Sequence, residues 1–597
     1  MKKKIIWMLV SFSMVLSLVV ITSCGTKEEA KVTEEVRQVV TTKEKEEKSA
    51  EVLIPTEEEP QYGGTLTTIY ALDAISFAPE DAMASVDEFN SFTHSTLMMI
   101  DWWVDRAINP LISGYSNLPQ LWTGYLAESW ETPDPLTIIF HLRHGVHWQN
   151  KPPVNGRELV ANDVVWYFDW IRASPKFANH AFQTIESATA SDKYTVVFKL
   201  KSMNIKMLQT IGGLGQYAHI MAHEVFENYG NFRDWETVVG TGPWMLVDYV
   251  PGSSLTYKRN PDYFMKDPKG RNLPYLDGVN RLIILDSVTQ MAALRTRKID
   301  LVPGGGAGEA RVSWDQKPNL ERTNPELLWQ KRAGTSWFIS PRNDVEPFTD
   351  IRVRKALSAA INYQEIAQET FGGNADLYNI PIDSSWDIYI PPEQLPEDVR
   401  EWYWNYNPKR AKELLAEAGY PNGFKTTVDY SVTGAQACFA EAMELVQAYW
   451  KDIGVELVLQ PRDAGTYASM KYGFTYQHII AGEMGWGDPI SGLEIFYLST
   501  GRFNRCRVND PYIDQSYYKA VATFDYTERT KLLKEVYLYI LKQCYGLSLP
   551  RLNNYSAWYP WIVNYHGEGS LGGSGMGTLF SYLWMNRDMK KAMTQGK

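Results

Sequence analysis

The sequence predicts a mixed α/β protein of at least two lobes, and three observations predict it. Short β-branched and aromatic runs of strand length alternate with segments of helical apolar spacing. The helical segments carry recognisable start and stop residues. The chain beyond residue 60, about 535 residues, is roughly twice the size at which one hydrophobic core stops growing.

The elements can be justified in chain order. "LTIIFHLRHGVHW" (Leu136 to Trp148) and "YTVVFKLK" (Tyr194 to Lys201) have the composition and length of strands. Between them, "DVVWYFDWIRA" has helical apolar spacing behind Asn162 or Asp163 as cap. "IRVRKALSAAINY" sets Val353, Ala356, Leu357, Ala360 and Ile361 on one face, the pattern of a buried helix. In "YNPKRAKELLAEAGYPNGF" both ends are marked: Asn407 caps, Pro408 opens the first turn, Leu414, Leu415 and Ala418 face inward, and Gly419 with Pro421 terminate. A helix carrying Leu445 to Trp450 then leads into the strand "VELVLQ" (Val455 to Gln460).

Ahead of the body stand two segments of different character. The apolar run from Ile5 to Thr22 falls short of the roughly 20 residues a helix needs to cross a bilayer, and Lys2, Lys3 and Lys4 flank it, which is the pattern of a signal peptide over residues 1–23. Ile21-Thr22-Ser23-Cys24 resembles the lipobox of bacterial lipoproteins. That likeness implies cleavage before Cys24 and a lipid on its sulfur, hence a membrane partner through a lipid anchor. Residues 24–60 are rich in Lys and Glu with almost no aromatics, so they read as a tether with too little apolar surface to fold alone.

Composition narrows the function. The net charge of −11 comes substantially from the acidic tether and no basic block follows, so no nucleic-acid partner is expected. With Cys24 given to lipid, Cys438, Cys506 and Cys544 permit at most one disulfide and lack metal spacing. His141, His144 and His147 alternate faces if they share one strand, so no metal is expected there. "PGGGAG" (Pro303 to Gly308) and "GGSGMG" (Gly572 to Gly577) lack the Lys of a phosphate loop. "HEVFE" at His223 lacks the second histidine of a zinc protease, and no Gly-x-Ser-x-Gly elbow exists. Neither an enzyme nor a cofactor is expected.

A series of strings in order then carries a likeness to a known family. "GGTLTT" (Gly63 to Thr68), "LAESWE" (Leu126 to Glu131), "FHLRHGVHW" (Phe140 to Trp148), "NGRELVANDVVW" (Asn155 to Trp166), "VGTGPWMLVDYVPGSSLTYKRNPDYF" (Val239 to Phe264), "ALRTRKIDL" (Ala293 to Leu301), "FTDIRVRKALSAAIN" (Phe348 to Asn362), "WKDIGVELVLQPRD" (Trp450 to Asp463) and "RTKLLKEVYLYILKQCYGLSLP" (Arg529 to Pro550) resemble the family 5 extracellular solute-binding proteins of ABC importers. The resemblance implies a two-lobed periplasmic-binding-protein-like fold, type II and cluster C-like, with an extra inserted domain. It implies one lobe from 61–90, 223–330 and 548–597, an inserted domain from 91–222, and a second lobe from 331–547. It also implies a ligand held in the cleft, an oligopeptide by family habit, and ABC permease subunits in the membrane as partners.

Candidate ligand residues come from the same likeness. Trp486-Gly487-Asp488-Pro489 falls where peptide-binding members carry W-x-x-D-x-x-D-P, so Asp488 matches the later acid and the amine anchor has no counterpart. Three positions before that Trp, where some members carry a base for the ligand carboxylate, stands Glu483. Trp486 is then a ligand-facing or a packed ring, and Asp488 a ligand carboxylate or a turn cap before Pro489. Trp102, Trp103, Tyr115 and Trp337 fall where the family exposes cleft side chains, Trp337 foremost. The missing anchor, Glu483 and 21 tryptophans keep open an oligosaccharide ligand stacked on rings. A secreted carbohydrate-active enzyme using Glu483 and Asp488 as acid and base is the alternative from another class.

Overall fold

The computed structural model describes residues 59–595 apart from 75, 82–83, 107–118, 179, 306–307, 335, 378–385, 404, 432–438, 485–487 and 572–574. The expected signal peptide and nearly all of the tether, Cys24 included, lie outside the described residues. The body, Pro60–Lys597, forms one unit by itself.

Two large sheets organise it. In the first, the strands run Val312–Ser313, Arg551–Trp558, Leu301–Val302, Thr65–Tyr70, Gly278–Ile283, Ser254–Arg259 and Trp244–Val250, and Leu328–Ala333 also pairs with Arg551–Trp558. Thr65–Tyr70 is parallel to Gly278–Ile283, residue for residue, and the hairpin of Trp244–Val250 and Ser254–Arg259 adds the antiparallel edge. In the second sheet the order is Glu456–Arg462, Lys425–Ser431, Ile479–Met484, Ser336–Pro341 and Leu547–Ser548. Its first three strands are parallel, and parallel strands need helical crossovers. Ala440–Asp452 is one such crossover, ending just before Glu456.

The helices predicted from spacing form where expected. Val353, Ala356, Leu357, Ala360 and Ile361 are all fully buried, and the three aliphatic side chains among them each contribute roughly 1.5–3 kcal/mol of burial. Asn407 accepts a hydrogen bond from the Arg410 N–H at 3.0 Å, Pro408 opens the helix Pro408–Glu417, and Gly419 adopts the left-handed φ of 93° that releases the chain.

A third sheet of four antiparallel strands, Ala127–Asp134, Thr137–Leu142, Thr195–Leu200 and Ile185–Ala190, lies within the segment expected as an insertion. Helix Ala161–Ala173 covers it, with Phe168 edge-on to Phe198 at 5.0 Å. Two details differ from expectation. The helix starts ahead of both Asn162 and Asp163, and Asp163 reaches back to accept the Val160 N–H at 2.9 Å. The strand from Leu136 stops at Leu142, because Gly145 turns the chain with φ of 70°. His141, His144 and His147 therefore do not share one strand. Of the cysteines, Cys506 and Cys544 are free and buried, and burial pushes both thiols up to about 12; Cys438 lies outside the described residues.

The chain passes from the first sheet to the second between Ala333 and Ser336 and returns between Ser548 and Arg551. The two passages lie side by side: Gly334 N–H donates to Leu552 O and Leu549 N–H to Trp337 O, each at 2.9 Å. A Cβ at Gly334 would meet Leu552 O at 2.2 Å, so only glycine allows this approach. Two adjacent extended passages are the geometry of a hinge.

Candidate functional site

The parallel strands Lys425–Ser431, Glu456–Arg462 and Ile479–Met484 end at one edge of the second sheet, the place where α/β sheets gather ligands. Glu483 stands at that edge, opposite Trp337 on the neighbouring strand. Its carboxylate is 44% exposed, and Lys471 Nζ lies 3.7 Å away. Beneath it the buried Arg505 donates from Nη2 to the Glu483 carbonyl.

From the first sheet Arg311 enters the same electrostatic neighbourhood. The residue is exposed to solvent, yet burial holds its guanidinium below the usual arginine pKa while Glu309 and Glu483 pull it upward. Exposure to solvent together with a desolvating surround marks a side chain in a cleft, where protein stands on several sides. Arg311 and Glu483, both exposed, therefore feel one another's charge, while Lys471 is the cation nearest the Glu483 carboxylate.

A separate cavity of about 60 Å³ opens between the segment that starts at Asp488 and the region expected as the insertion. Trp122, Ile205 and Lys206 line one side, and Trp386, Asp488 and Arg529 belong to the other. Two contacts join the sides: Lys206 Nζ pairs with Glu494, and the Ile205 N–H donates to Val521 O at 3.0 Å.

The residues expected at the site are dispersed rather than gathered. Asp488 lines this cavity but is 7% exposed, and it caps the turn Pro489–Gly492 by accepting the Ser491 N–H at 2.9 Å and the Ser491 hydroxyl. The capping role is the one the structure displays. Trp337 is a correction: its ring is fully buried, stacked on Phe439 at 4.2 Å and 14°, because all six residues of Ser336–Pro341 are covered in mid-sheet. Trp102 is another. At 1% exposure it is stacked on Tyr582 at 5.1 Å, with the Arg106 guanidinium 4.4 Å from its ring. Its neighbour Trp103 is 44% exposed, edge-on to Tyr582 at 5.7 Å. Trp486 and Tyr115 lie outside the described residues.

Sequence reasoning missed Arg311, Lys471, Arg505 and Arg529. Arg311, Lys471 and Arg505 are single charged residues in unremarkable local contexts, and only the fold relates them to Glu483. Arg529 alone carried a local signal, since it sits where a helix spacing would place an arginine on an otherwise buried face.

Comparison with known proteins supplies the family. The profile of the bacterial extracellular solute-binding proteins, family 5 Middle, matches residues 122–504. The heme-binding protein A of Haemophilus influenzae is 27% identical over 475 residues, covering 74% of this chain and 79% of its own. The dipeptide-binding protein of Escherichia coli is 27% identical over 391 residues, covering 61% and 68%. The oligopeptide-binding protein AppA of Bacillus subtilis, solved with a nonapeptide, superposes with a TM-score of 0.65 at 20% identity, over 88% of this chain and 100% of that one.

Proposed function

The chain belongs to the bacterial extracellular solute-binding proteins of family 5, which act outside the cytoplasm as ligand-capturing components of ABC importers and not as enzymes; from that membership we propose that it captures peptides between its lobes. In this proposal the first lobe comprises 61–90, 223–330 and 548–597, the second 331–547, and 91–222 is the inserted domain. Cys24 carries the lipid that keeps the protein at the membrane beside its permease, with residues 24–60 as tether.

The observation that supports the peptide assignment is an exposed carboxylate, Glu483, at the end of the parallel strands of the second sheet, with the exposed Arg311 near enough to feel its charge. A peptide is a zwitterion, so an accessible carboxylate and an accessible guanidinium match its two ends as charge-assisted partners. Closing on it brings both bodies onto one ligand, which is how binding free energy shifts a two-state hinge. A neutral oligosaccharide can hydrogen-bond to both groups but carries no charge to complement either. The names of the Escherichia coli and Bacillus subtilis relatives agree with the peptide assignment. As an acid–base pair for sugar hydrolysis, Glu483 and Asp488 are poorly suited, because both Asp488 oxygens are engaged by Ser491.

A thermal-shift screen tests this. Ligand at about 100 times its dissociation constant adds roughly 2.7 kcal/mol to the folded state. For a lobe of about 200 residues that raises the melting temperature by about 5–10 °C. Pools of di- to pentapeptides should produce such a shift and pools of oligosaccharides should not. A shift with sugars alone would overturn the peptide assignment.

A further inference from the structure

The cavity beside Asp488 is walled by two bodies, and its chemistry is lopsided. Rings and aliphatic side chains dominate the lining, Trp122, Trp386 and Ile490 among them. Three of its charged groups are already satisfied by protein: Lys206 by Glu494, Asp488 by Ser491, and Asp387 by the Tyr526 hydroxyl. Arg529 is different. It is 8% exposed and burial lowers its pKa; its guanidinium lies 5.3 Å from the centre of the Tyr526 ring, and Tyr526, Asp525 and Asp387 pull the pKa back upward. No carboxylate among the described residues lies within ion-pair reach of it. Its Nη1 donates to the carbonyls of Thr523 and Phe524 at 2.9 and 3.1 Å, and among the described residues Nε and Nη2 have no hydrogen-bond acceptor.

A buried cation that lacks an anion is costly unless something else supplies the charge. Here the open donors belong to a residue that lines an apolar, ring-walled space. We propose that this cavity binds an aromatic or branched apolar group that carries a carboxylate, with the carboxylate on Arg529 and the apolar body between Trp122 and Trp386. Resting on the peptide assignment above, the natural source of that group is the C-terminal residue of a peptide long enough to reach from the Glu483 edge past Asp488; a free aromatic acid has the same chemistry. Because Trp122 comes from one body and Arg529 from the other, an occupant also bridges the surfaces joined by Lys206 and Glu494.

Calorimetry with three probes tests the pocket: Ala-Ala-Ala-Ala-Phe, the same peptide as its C-terminal amide, and N-acetylphenylalanine. In the unaltered protein the acid should bind about tenfold or more tighter than the amide, the value of one charge-assisted hydrogen-bonded contact. Arg529→Gln should abolish that preference, so that acid and amide bind alike. Since Arg529 also ties down two carbonyls, Thr530→Trp serves as the second variant: it fills the half-buried mouth of the cavity without touching those bonds and should weaken the acid by a similar factor. Equal affinity for acid and amide in the unaltered protein overturns the pocket, as does a folded Arg529→Gln protein that keeps the full preference. If N-acetylphenylalanine binds in an Arg529-dependent way and no peptide binds, the pocket stands and the peptide assignment falls.

Discussion

Arg281→Met should destabilise the protein far more at pH 8 than at pH 5. Arg281 is fully buried, its Nη2 pairs with Glu309, its Nη1 lies 4.0 Å from Glu88, and its guanidinium stands 4.2 Å over the Tyr70 ring. Tyr257 faces the cluster from the adjacent strand, and the charges of Asp87 and Arg311 reach Glu88 and Glu309 respectively. Two carboxyls share one guanidinium, so one of them holds a proton. Burial pushes Glu309 up to about 8 against the pull of Arg281, and burial raises Glu88 as well. The sign follows from folded values above the unfolded one: the stabilisation is complete below about pH 4.5 and is lost as pH rises through about 8. Methionine removes the charge that lowers both carboxyls, so both rise further and the loss at high pH deepens. Breaking a buried ion pair from one side costs about 3–5 kcal/mol, or about 6–20 °C in melting temperature for a lobe of this size. At pH 5 both carboxyls take up protons, and what remains is the packing change of a roughly volume-conserving swap, under about 1.5 kcal/mol. Calorimetric melts of both proteins at the two pH values measure the difference. Equal losses at pH 5 and pH 8 would refute the shared-proton account.

Other outcomes follow from the same structure. Trp337→Ala should cost about 3–5 kcal/mol as a core truncation, seen as a fall in melting temperature; lost ligand affinity with an unchanged melt would return Trp337 to the cleft. Lys206→Ala should speed ligand dissociation by at most about fivefold, because a partly exposed ion pair is worth about 0.2–1 kcal/mol. Joining Lys206→Glu with Glu494→Lys should restore the rate, and stopped-flow traces identical across all variants would show that the contact plays no part in closure. Cys24→Ala should abolish incorporation of labelled fatty acid and release the protein from the membrane fraction; continued labelling would exclude Cys24 as the lipid site.

What the sequence made legible was whatever local chemistry dictates. Asn407, Pro408 and Gly419 mark a helix because caps and terminators act within a few residues, and the buried stripe of Val353 and Leu357 is a matter of period. The tryptophans were less legible, since a ring is equally good as core mass and as a ligand face. Only packing decides between them: Trp337 and Trp102 found stacking partners in Phe439 and Tyr582, which come from distant parts of the chain. Asp488 was readable as a cap because Pro489 follows it. The electrostatic relation of Arg311 to Glu483 could not be read in advance, since the two lie far apart in sequence and in segments of different sheets.

Small-angle scattering of the purified protein, with and without a saturating pool of di- to pentapeptides, tests the central claim most directly. Capture between two hinged lobes predicts a smaller radius of gyration with peptides present and no change with an oligosaccharide pool. Peptide binding detected by calorimetry with no change in radius would contradict capture by closure.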